Sequence, residues 1–197
     1  MNKNIIEFYL KANNLKNVIR TGWKEVGIPE DKIESVADHV YGTLILALSI
    51  IEDKKLELNV EKVLKMILVR ELGKAVSNYE QSIINSNTGE NYKELTKKII
   101  NNSSLLEVFD EYEAKESEES KFVYKVCKLE SDLQAKIYEK KGYFTVENAV
   151  EDIKNYPEDI KTKVGEITKA SDGWIIFDRE YYDDELFMNL SKDIQEL

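Results

Sequence analysis

Apolar residues recur at helical spacing along most of this chain, and only two prolines, Pro29 and Pro157, interrupt the pattern. The strongest stretch begins after Glu34 and predicts a central, largely buried helix, with apolar positions at Val36, Ala37, Val40, Tyr41, Leu44, Leu48 and Ile51. Periodicity of this extent is typical of an all-α fold. The 197 residues, 42% of them hydrophobic, suffice for one substantial core, so we expect a single domain over residues 1–197.

The same periodicity predicts further helices, at about 5–13, 92–100, 104–112, 118–140, 146–155 and 158–168, and from about Asp183 onward. Asn59 is a suitable N-cap for another helix that continues towards Val76. Residues 20–31 and 79–89 are rich in turn-forming residues and predict loops. The segment SDGWIIFDREYY, residues 171–182, predicts either a short β-hairpin or an extended loop near the C-terminus.

Charge and cysteine content restrict the partners and the compartment. Twenty-eight basic residues against 38 acidic ones give a net charge of −10, which repels phosphate backbones and acidic lipid surfaces, so we expect no nucleic-acid and no membrane partner. A single cysteine, Cys127, excludes an internal disulfide and fits a reducing compartment. The first residues lack the features of a signal peptide, and the longest apolar run, residues 44–51, is too short to span a bilayer. We therefore expect a soluble, cytoplasmic protein.

Three charged residues continue the apolar face of the helix that follows Asn59. On a helical wheel, Glu71 lies in line with the apolar stripe, and Arg70 and Lys74 lie beside it. Buried charges without partners are costly, so these groups either line a polar pocket or form a local Glu71–Lys74 pair with Arg70 reaching solvent. The local pattern leaves both interpretations open.

The chain contains one histidine, His39, on a second face of the central helix. A lone histidine in such a place is more often a hydrogen-bonded structural residue than a ligand. Cys127, on the long helix predicted for residues 118–140, is by itself typical of a small core residue.

Two segments carry a resemblance to a known family. The first, LKNVIRTGWKEVGIPEDKIESVADHVYGTLILAL, combines RTGW with ESVADH at the start of a buried helix. The second, EYEAKESEESKFVYKVCKLESDLQAKIYEKKG, places an EYE triplet before a long helix. Both resemble the HD-domain family that includes the bacterial 5′-deoxynucleotidases and their eukaryotic relatives. The resemblance implies an HD-domain helical bundle, a homodimer, and metal-dependent hydrolysis of nucleoside 5′-monophosphates.

The residues that would bind the metal depart from the family pattern. In the family, a histidine, an adjacent His-Asp pair and a later Asp hold a divalent ion, and these positions fall on His39, Arg70, Glu71 and Cys127 here. An acidic residue that serves the catalytic water is replaced by Lys74, and a protonated lysine cannot accept a proton. With one histidine in the chain, a two-histidine site is impossible. We therefore expect no intact catalytic set and no bound metal.

Arg20 and Trp23 match family positions that bind the phosphate and position the substrate. Three hypotheses remain. The first is a metal-free pocket that binds a nucleotide or another small phosphorylated anion through Arg20, Trp23 and Arg70, with Lys74 as a further donor.

The second is a remnant zinc, manganese or cobalt site formed by His39, Glu71 and Cys127, which would keep the chain an active phosphohydrolase. The third is an inert dimerisation or regulatory module, in which Arg70 and Glu71 form a buried ionic plug.

Overall fold

The computed structural model describes residues 3–75, 89–100 and 102–197. Its regular elements are helical, which confirms the all-α prediction. The α-helices are α1 (Lys3–Asn13), α2 (Gly22–Glu25), α3 (Val36–Lys54), α4 (Val60–Val69), α5 (Gly89–Ile99), α6 (Ser103–Ala114), α7 (Glu118–Lys140), α8 (Val146–Asp152), α9 (Glu158–Val164), α10 (Asp172–Asp178) and α11 (Glu185–Glu196). Short 3-10 turns cover Asn14–Asn17, Glu30–Lys32, Leu72–Ala75, Ile153–Asn155 and Arg179–Tyr181.

The chain divides into two compact units. Unit 1 comprises residues 1–21 and 34–124, and unit 2 comprises residues 22–33 and 125–197. The expectation of a single domain over residues 1–197 stays a prediction. No helix in the described part of the chain is both long and apolar enough to cross a membrane.

In unit 1, a capping box fixes the start of the central helix α3. The Ser35 hydroxyl accepts a hydrogen bond from the Asp38 backbone N–H at 3.1 Å, and the Asp38 carboxylate accepts one from the Ser35 N–H at 2.9 Å. The preceding residues are also fixed, because the Val36 N–H donates to the Val18 carbonyl at 2.7 Å. Residues 18–20 therefore lie alongside residues 34–36.

The core of unit 1 forms where α3, α4 and α6 pack together. Several of its side chains are almost fully buried, among them Val36, Ala47, Val63, Met66, Ile67 and Phe109. The predicted N-cap of α4 is confirmed, since the Asn59 side chain accepts from the Lys62 N–H at 3.1 Å. Helix α4 is shorter than predicted and ends at Val69. After two further residues the chain turns into the 3-10 segment Leu72–Ala75.

Unit 2 has an aromatic core around Trp23. The Trp23 ring stacks on Trp174 with ring centroids 4.4 Å apart and meets the edge of Tyr138 at 5.2 Å. Leu129, Ala135 and Ile175 are almost fully buried in the same unit, as Trp23 and Tyr138 are. Burying rings of this size contributes a large share of the hydrophobic free energy of a small unit.

The predictions for residues 20–31 and 171–182 were wrong in part. Residues 20–31 contain the single turn of α2, which buries Trp23, and the 3-10 turn Glu30–Lys32. Residues 171–182, predicted as a β-hairpin or an extended loop, form α10 and the 3-10 turn Arg179–Tyr181 instead. The helix places Ile175 and Asp178, three residues apart, on one buried face. The loop predicted at 79–89 lies almost entirely outside the described residues, and α5 begins at Gly89.

Candidate functional site

The end of α4 and the turn after it place three charged side chains of unit 1 together. Arg70 is the C-cap residue of α4, and its N–H donates to the Met66 carbonyl at 3.1 Å. Glu71 follows at once, and the Lys74 N–H donates to the Glu71 carbonyl at 3.0 Å. Gly73 keeps this turn close to α5, since its N–H donates to the Thr96 hydroxyl at 3.0 Å. A Cβ at Gly73 would lie 2.5 Å from that hydroxyl and 2.7 Å from the Tyr92 carbonyl oxygen, so only glycine fits.

The Glu71 carboxylate lies between two cations. One oxygen pairs with the Arg70 guanidinium, and the other lies 2.7 Å from the Lys74 ammonium. The Glu71 side chain is only 4% exposed, whereas Arg70 and Lys74 keep 14% and 16% of their side-chain surface. Both expected pairs are therefore present. The Arg70–Glu71 pair belongs to the ionic-plug hypothesis, and the Glu71–Lys74 pair belongs to the local-pair interpretation.

The cations control the ionisation of Glu71. Burial alone would raise the pKa of this carboxyl group, but Arg70, Lys74 and Arg20 outweigh burial and lower the pKa to about 2. Glu71 is thus an anion at any physiological pH. Burial also lowers the pKa of Lys74, an effect that Glu71 opposes.

His39 of α3 faces the same charges. Its Nε2 atom lies 3.5 Å from Nη2 of Arg70, and the residue is 2% exposed. Burial, reinforced by Arg20, Arg70 and Lys74, lowers the pKa of His39 well below its usual value of 6.5. The imidazole is therefore neutral at pH 7. Three cations thus act on one neutral ring.

Arg20 reaches this cluster from the segment that lies alongside the start of α3. Its guanidinium donates to the Glu34 carboxylate at 2.6 Å, and its backbone N–H donates to the Glu34 carbonyl at 3.1 Å. A Glu34 carboxylate oxygen and a ring nitrogen of His39 lie within 4.8 Å of each other. Sequence reasoning missed Glu34. Its position directly before the N-cap Ser35 was the available signal, because a residue there lies near the first turn that carries His39.

Two tyrosines of unit 1 also belong to the surroundings of Arg70 and were missed. The Arg70 guanidinium carbon lies 5.9 Å from the centre of the Tyr112 ring, within cation–π range. Burial and the charge of Glu71 raise the pKa of Tyr92 well above its usual value of 10.0, so this hydroxyl stays protonated. Tyr112 is the central residue of the EYE triplet, and that motif was the signal that could have identified it.

We use the name cationic cluster for Arg20, Arg70 and Lys74 together with Glu34, Glu71 and His39. Three cations and two carboxylates leave one net positive charge around a neutral imidazole. This local charge opposes the net charge of −10 on the whole chain. Such an arrangement attracts small anions to one partly exposed place.

The other two predicted site residues belong to unit 2. Trp23 is 1% exposed and packs against Trp174 and Tyr138, so its observed contacts are those of a core residue. Its role in substrate binding stays a prediction. Cys127 is a buried free cysteine of α7, and its carbonyl accepts a hydrogen bond from the Ser131 hydroxyl at 3.2 Å.

The residues that the resemblance assigns to the family's metal include a cation. Arg70, which the family resemblance assigns to a ligand position, points a guanidinium nitrogen at Nε2 of His39, so a divalent ion bound there would face a fixed positive charge. Among the residues that the structure describes, Glu71 belongs to no group of three donors close enough to share an ion. The Glu34–His39 pair nevertheless brings two possible donors together. The expected absence of a metal therefore stays a prediction.

Comparison with known proteins places these residues in a family. The HD domain family matches residues 12–168. The 5′-deoxynucleotidase HDDC2 of Dictyostelium discoideum is 32% identical over 155 residues, which cover 71% of this chain and 80% of that protein. The 5′-deoxynucleotidase HDDC2 of Bos taurus is 30% identical over 146 residues, which cover 70% of this chain and 69% of that protein.

Two solved structures are similar to this chain over most of its length. A conserved hypothetical protein from Pyrococcus furiosus has a TM-score of 0.67 and 25% identity, covering 98% of this chain and 99% of its own. A protein from Pyrococcus horikoshii has a TM-score of 0.62 and 30% identity, covering 81% of this chain and 98% of its own. The family match extends over most of the chain and includes the predicted RTGW, ESVADH and EYE segments. The chain therefore belongs to the HD-domain family and is 5′-deoxynucleotidase-like.

Proposed function

We propose that this protein binds a small phosphorylated ligand, of the nucleoside 5′-monophosphate class, in the cationic cluster and without the family's metal ion. The observation that carries the proposal is the placement of Arg70 and Lys74 on the two oxygens of Glu71, with Arg70 Nη2 also 3.5 Å from His39 Nε2. All three cations of the cluster keep some exposed surface, between 14% and 17% of the side chain, through which a ligand can reach them.

Phosphate suits this cluster for chemical reasons. A guanidinium offers paired donors that match two phosphate oxygens, and it does so without an ion. A lysine adds a third donor as a point charge. The relatives named as 5′-deoxynucleotidases support a nucleotide as the phosphate carrier. The net charge of −10 disfavours a nucleic acid as the ligand.

Metal-dependent hydrolysis of the usual kind does not follow from these residues. Arg70 supplies a positive charge where the family places a ligand, and both oxygens of Glu71 are engaged by cations. Lys74, paired with Glu71, cannot accept a proton from water while it is protonated. The proposal is therefore a binding function with loss of the standard reaction.

Calorimetry with purified protein and a panel of nucleoside 5′-monophosphates tests this proposal. We expect binding by the unaltered protein and a loss of about tenfold or more on Arg70→Ala, the scale of one charge-assisted hydrogen bond. Lys97→Ala is a charge control, because Lys97 is half-exposed and pairs with Asp110 on the surface. Absence of binding, together with equal thermal stabilisation of the unaltered and Arg70→Ala proteins by phosphate, would contradict the proposal.

A second candidate function is metal-dependent phosphohydrolysis, and the proximity of Glu34 to His39 favours it. Histidine and carboxylate are both acceptable ligands for zinc, manganese and cobalt. The grouping of His39, Glu71 and Cys127 has less support, because Glu71 is paired with Arg70 and Lys74. Stoichiometric metal by elemental analysis, with phosphate release from a nucleoside monophosphate that Glu34→Gln abolishes, would establish this candidate against the first. Lack of both would remove it.

A further inference from the structure

The two carboxylate oxygens of Glu71 are held by two different cations. One oxygen pairs with Arg70 and the other lies 2.7 Å from the Lys74 ammonium. A phosphate group that bridged Arg70 and Lys74 would present two oxygens to the same two donors. Glu71 therefore already makes the contacts that the proposed ligand would make.

A carboxylate that belongs to the chain has an advantage over a free anion. It loses no translational or rotational freedom on pairing, whereas a free ligand does. Glu71 is also an anion at all relevant pH values, since the neighbouring cations lower its pKa to about 2. A free monoanion, with no more charge than Glu71 itself, gains too little to displace it.

A dianion has more charge and more oxygens with which to compete against Glu71. A phosphate monoester with its second proton removed carries about two charges and three terminal oxygens. It can engage Arg70 and Lys74 with two oxygens and still has a third oxygen and a second charge to place among the cations. A phosphodiester or a carboxylate carries one charge and has fewer free oxygens.

We propose that Glu71 is a built-in competitor for the ligand and that it restricts the cationic cluster to dianionic phosphate monoesters. This inference rests on the proposed function, because it assumes that a phosphorylated ligand binds there. It assigns Glu71 a role other than that of a metal ligand or an inert plug. Binding by the unaltered protein then strengthens as the pH rises through about 6, where the second phosphate proton leaves.

The variant Glu71→Gln tests the inference, because it removes the charge and keeps the size. The probes are a nucleoside 5′-monophosphate and acetate, measured by calorimetry at pH 7.5 and pH 5. In the variant we expect the monophosphate to bind about tenfold or more tightly, the scale of one charge-assisted contact, and acetate to become a detectable ligand. The gain in monophosphate affinity between pH 5 and pH 7.5 should also shrink. Glu61→Gln is the matched control, since Glu61 lies exposed on α4 and pairs with Lys65.

The outcomes separate the two claims. If both proteins bind the monophosphate with equal affinity and equal selectivity over acetate, the inference is wrong and the proposed function stands. If neither protein binds any probe, the proposed function fails and the inference fails with it. Should Glu71→Gln not fold, Glu71→Asp takes its place, because the shorter side chain withdraws the carboxylate from the cations. Tighter monophosphate binding by Glu71→Asp is then expected, and unchanged binding overturns the inference.

Discussion

Lys74 illustrates how single residues keep the cationic cluster stable. Its ammonium is mostly buried, and it is tolerated because the Glu71 carboxylate lies 2.7 Å away. Removing one member of a buried ion pair is far more damaging than removing an exposed one, because the remaining charge loses its partner. The cluster therefore contributes to stability only as a complete set.

The variant Lys74→Met should lower the free energy of unfolding by about 3 kcal/mol, the lower end of the range for a broken buried pair, because Arg70 still neutralises Glu71 in part. Urea unfolding followed by far-ultraviolet circular dichroism measures this change. Lys97→Met should change the free energy by about 0.5 kcal/mol or less, since surface ion pairs contribute little. A similar small value for both variants would mean that the Lys74–Glu71 pair is energetically unimportant.

Some residues of the cationic cluster could be predicted from the sequence and others could not. The wheel of the predicted helix after Asn59 pointed to Arg70, Glu71 and Lys74, although α4 ends at Val69 and these residues follow it. Arg20 and His39 came from the family resemblance. Sequence reasoning did not predict Glu34, Tyr92 and Tyr112 as part of the site. Their contacts join separate elements, and periodicity within one element carries no information on such contacts.

Two polar contacts join α7 to α10 and to Tyr182 in unit 2. Asp132 of α7 is fully buried and accepts a hydrogen bond from the Tyr182 hydroxyl at 2.9 Å. Its other oxygen has no hydrogen-bond partner among the described residues. Asp178 of α10 is paired with Lys128 at 3.0 Å. Unit 2 thus buries two carboxyl groups, and the charge of Asp178 acts on Asp132.

Asp132 should contribute a part of the stability that is lost as the pH rises from about 4, whereas His39, whose pKa is lowered by burial, contributes in the opposite direction. Burial, then the charge of Asp178, raises the pKa of Asp132 well above its usual value of 3.8, against the opposing effects of Tyr182, Lys128 and Arg179. The folded state therefore holds a proton that the unfolded state has lost, and stability decreases with pH until the folded pKa is passed.

Thermal melts of Asp132→Asn from pH 4 to pH 8 provide the measurement. We expect the melting temperature of Asp132→Asn to rise more, or to fall less, between pH 4 and pH 8 than that of the unaltered protein, because the amide imitates the neutral acid at every pH. Asp183→Asn is the control, since Asp183 is mostly exposed and pairs with Lys125. An Asp132→Asn profile that runs parallel to the original would show that Asp132 does not hold this proton.

The elements themselves differed in how well they could be predicted. Helix α7 matched its predicted bounds of 118–140, because it combines an acidic first turn with a long apolar stripe. Helix α10 has seven residues, too few for a periodic pattern to appear, and its aromatic and β-branched residues favoured a strand. Helix α4 ended early because the turn that follows packs closely on α5 through Gly73, a contact that the local sequence does not contain.

For the molecule as a whole, the predicted homodimer remains to be measured. The family resemblance implied self-association, and the chain has a mass of 22.9 kDa. We expect sedimentation velocity at micromolar concentration to give a species of about twice that mass, because dimers with two-fold symmetry are the commonest assemblies of soluble proteins. A single species at the mass of one chain would contradict this prediction.

Both tryptophans of the chain, Trp23 and Trp174, stack on each other in unit 2, and unit 1 contains none. Intrinsic indole fluorescence therefore reports on unit 2 alone, while the backbone ellipticity of the helices reports on both units. Comparing the two signals during denaturation distinguishes one cooperative transition from two. The same optical separation makes a ligand-induced fluorescence change informative, because the cationic cluster contains no indole and such a change would have to originate in the other unit.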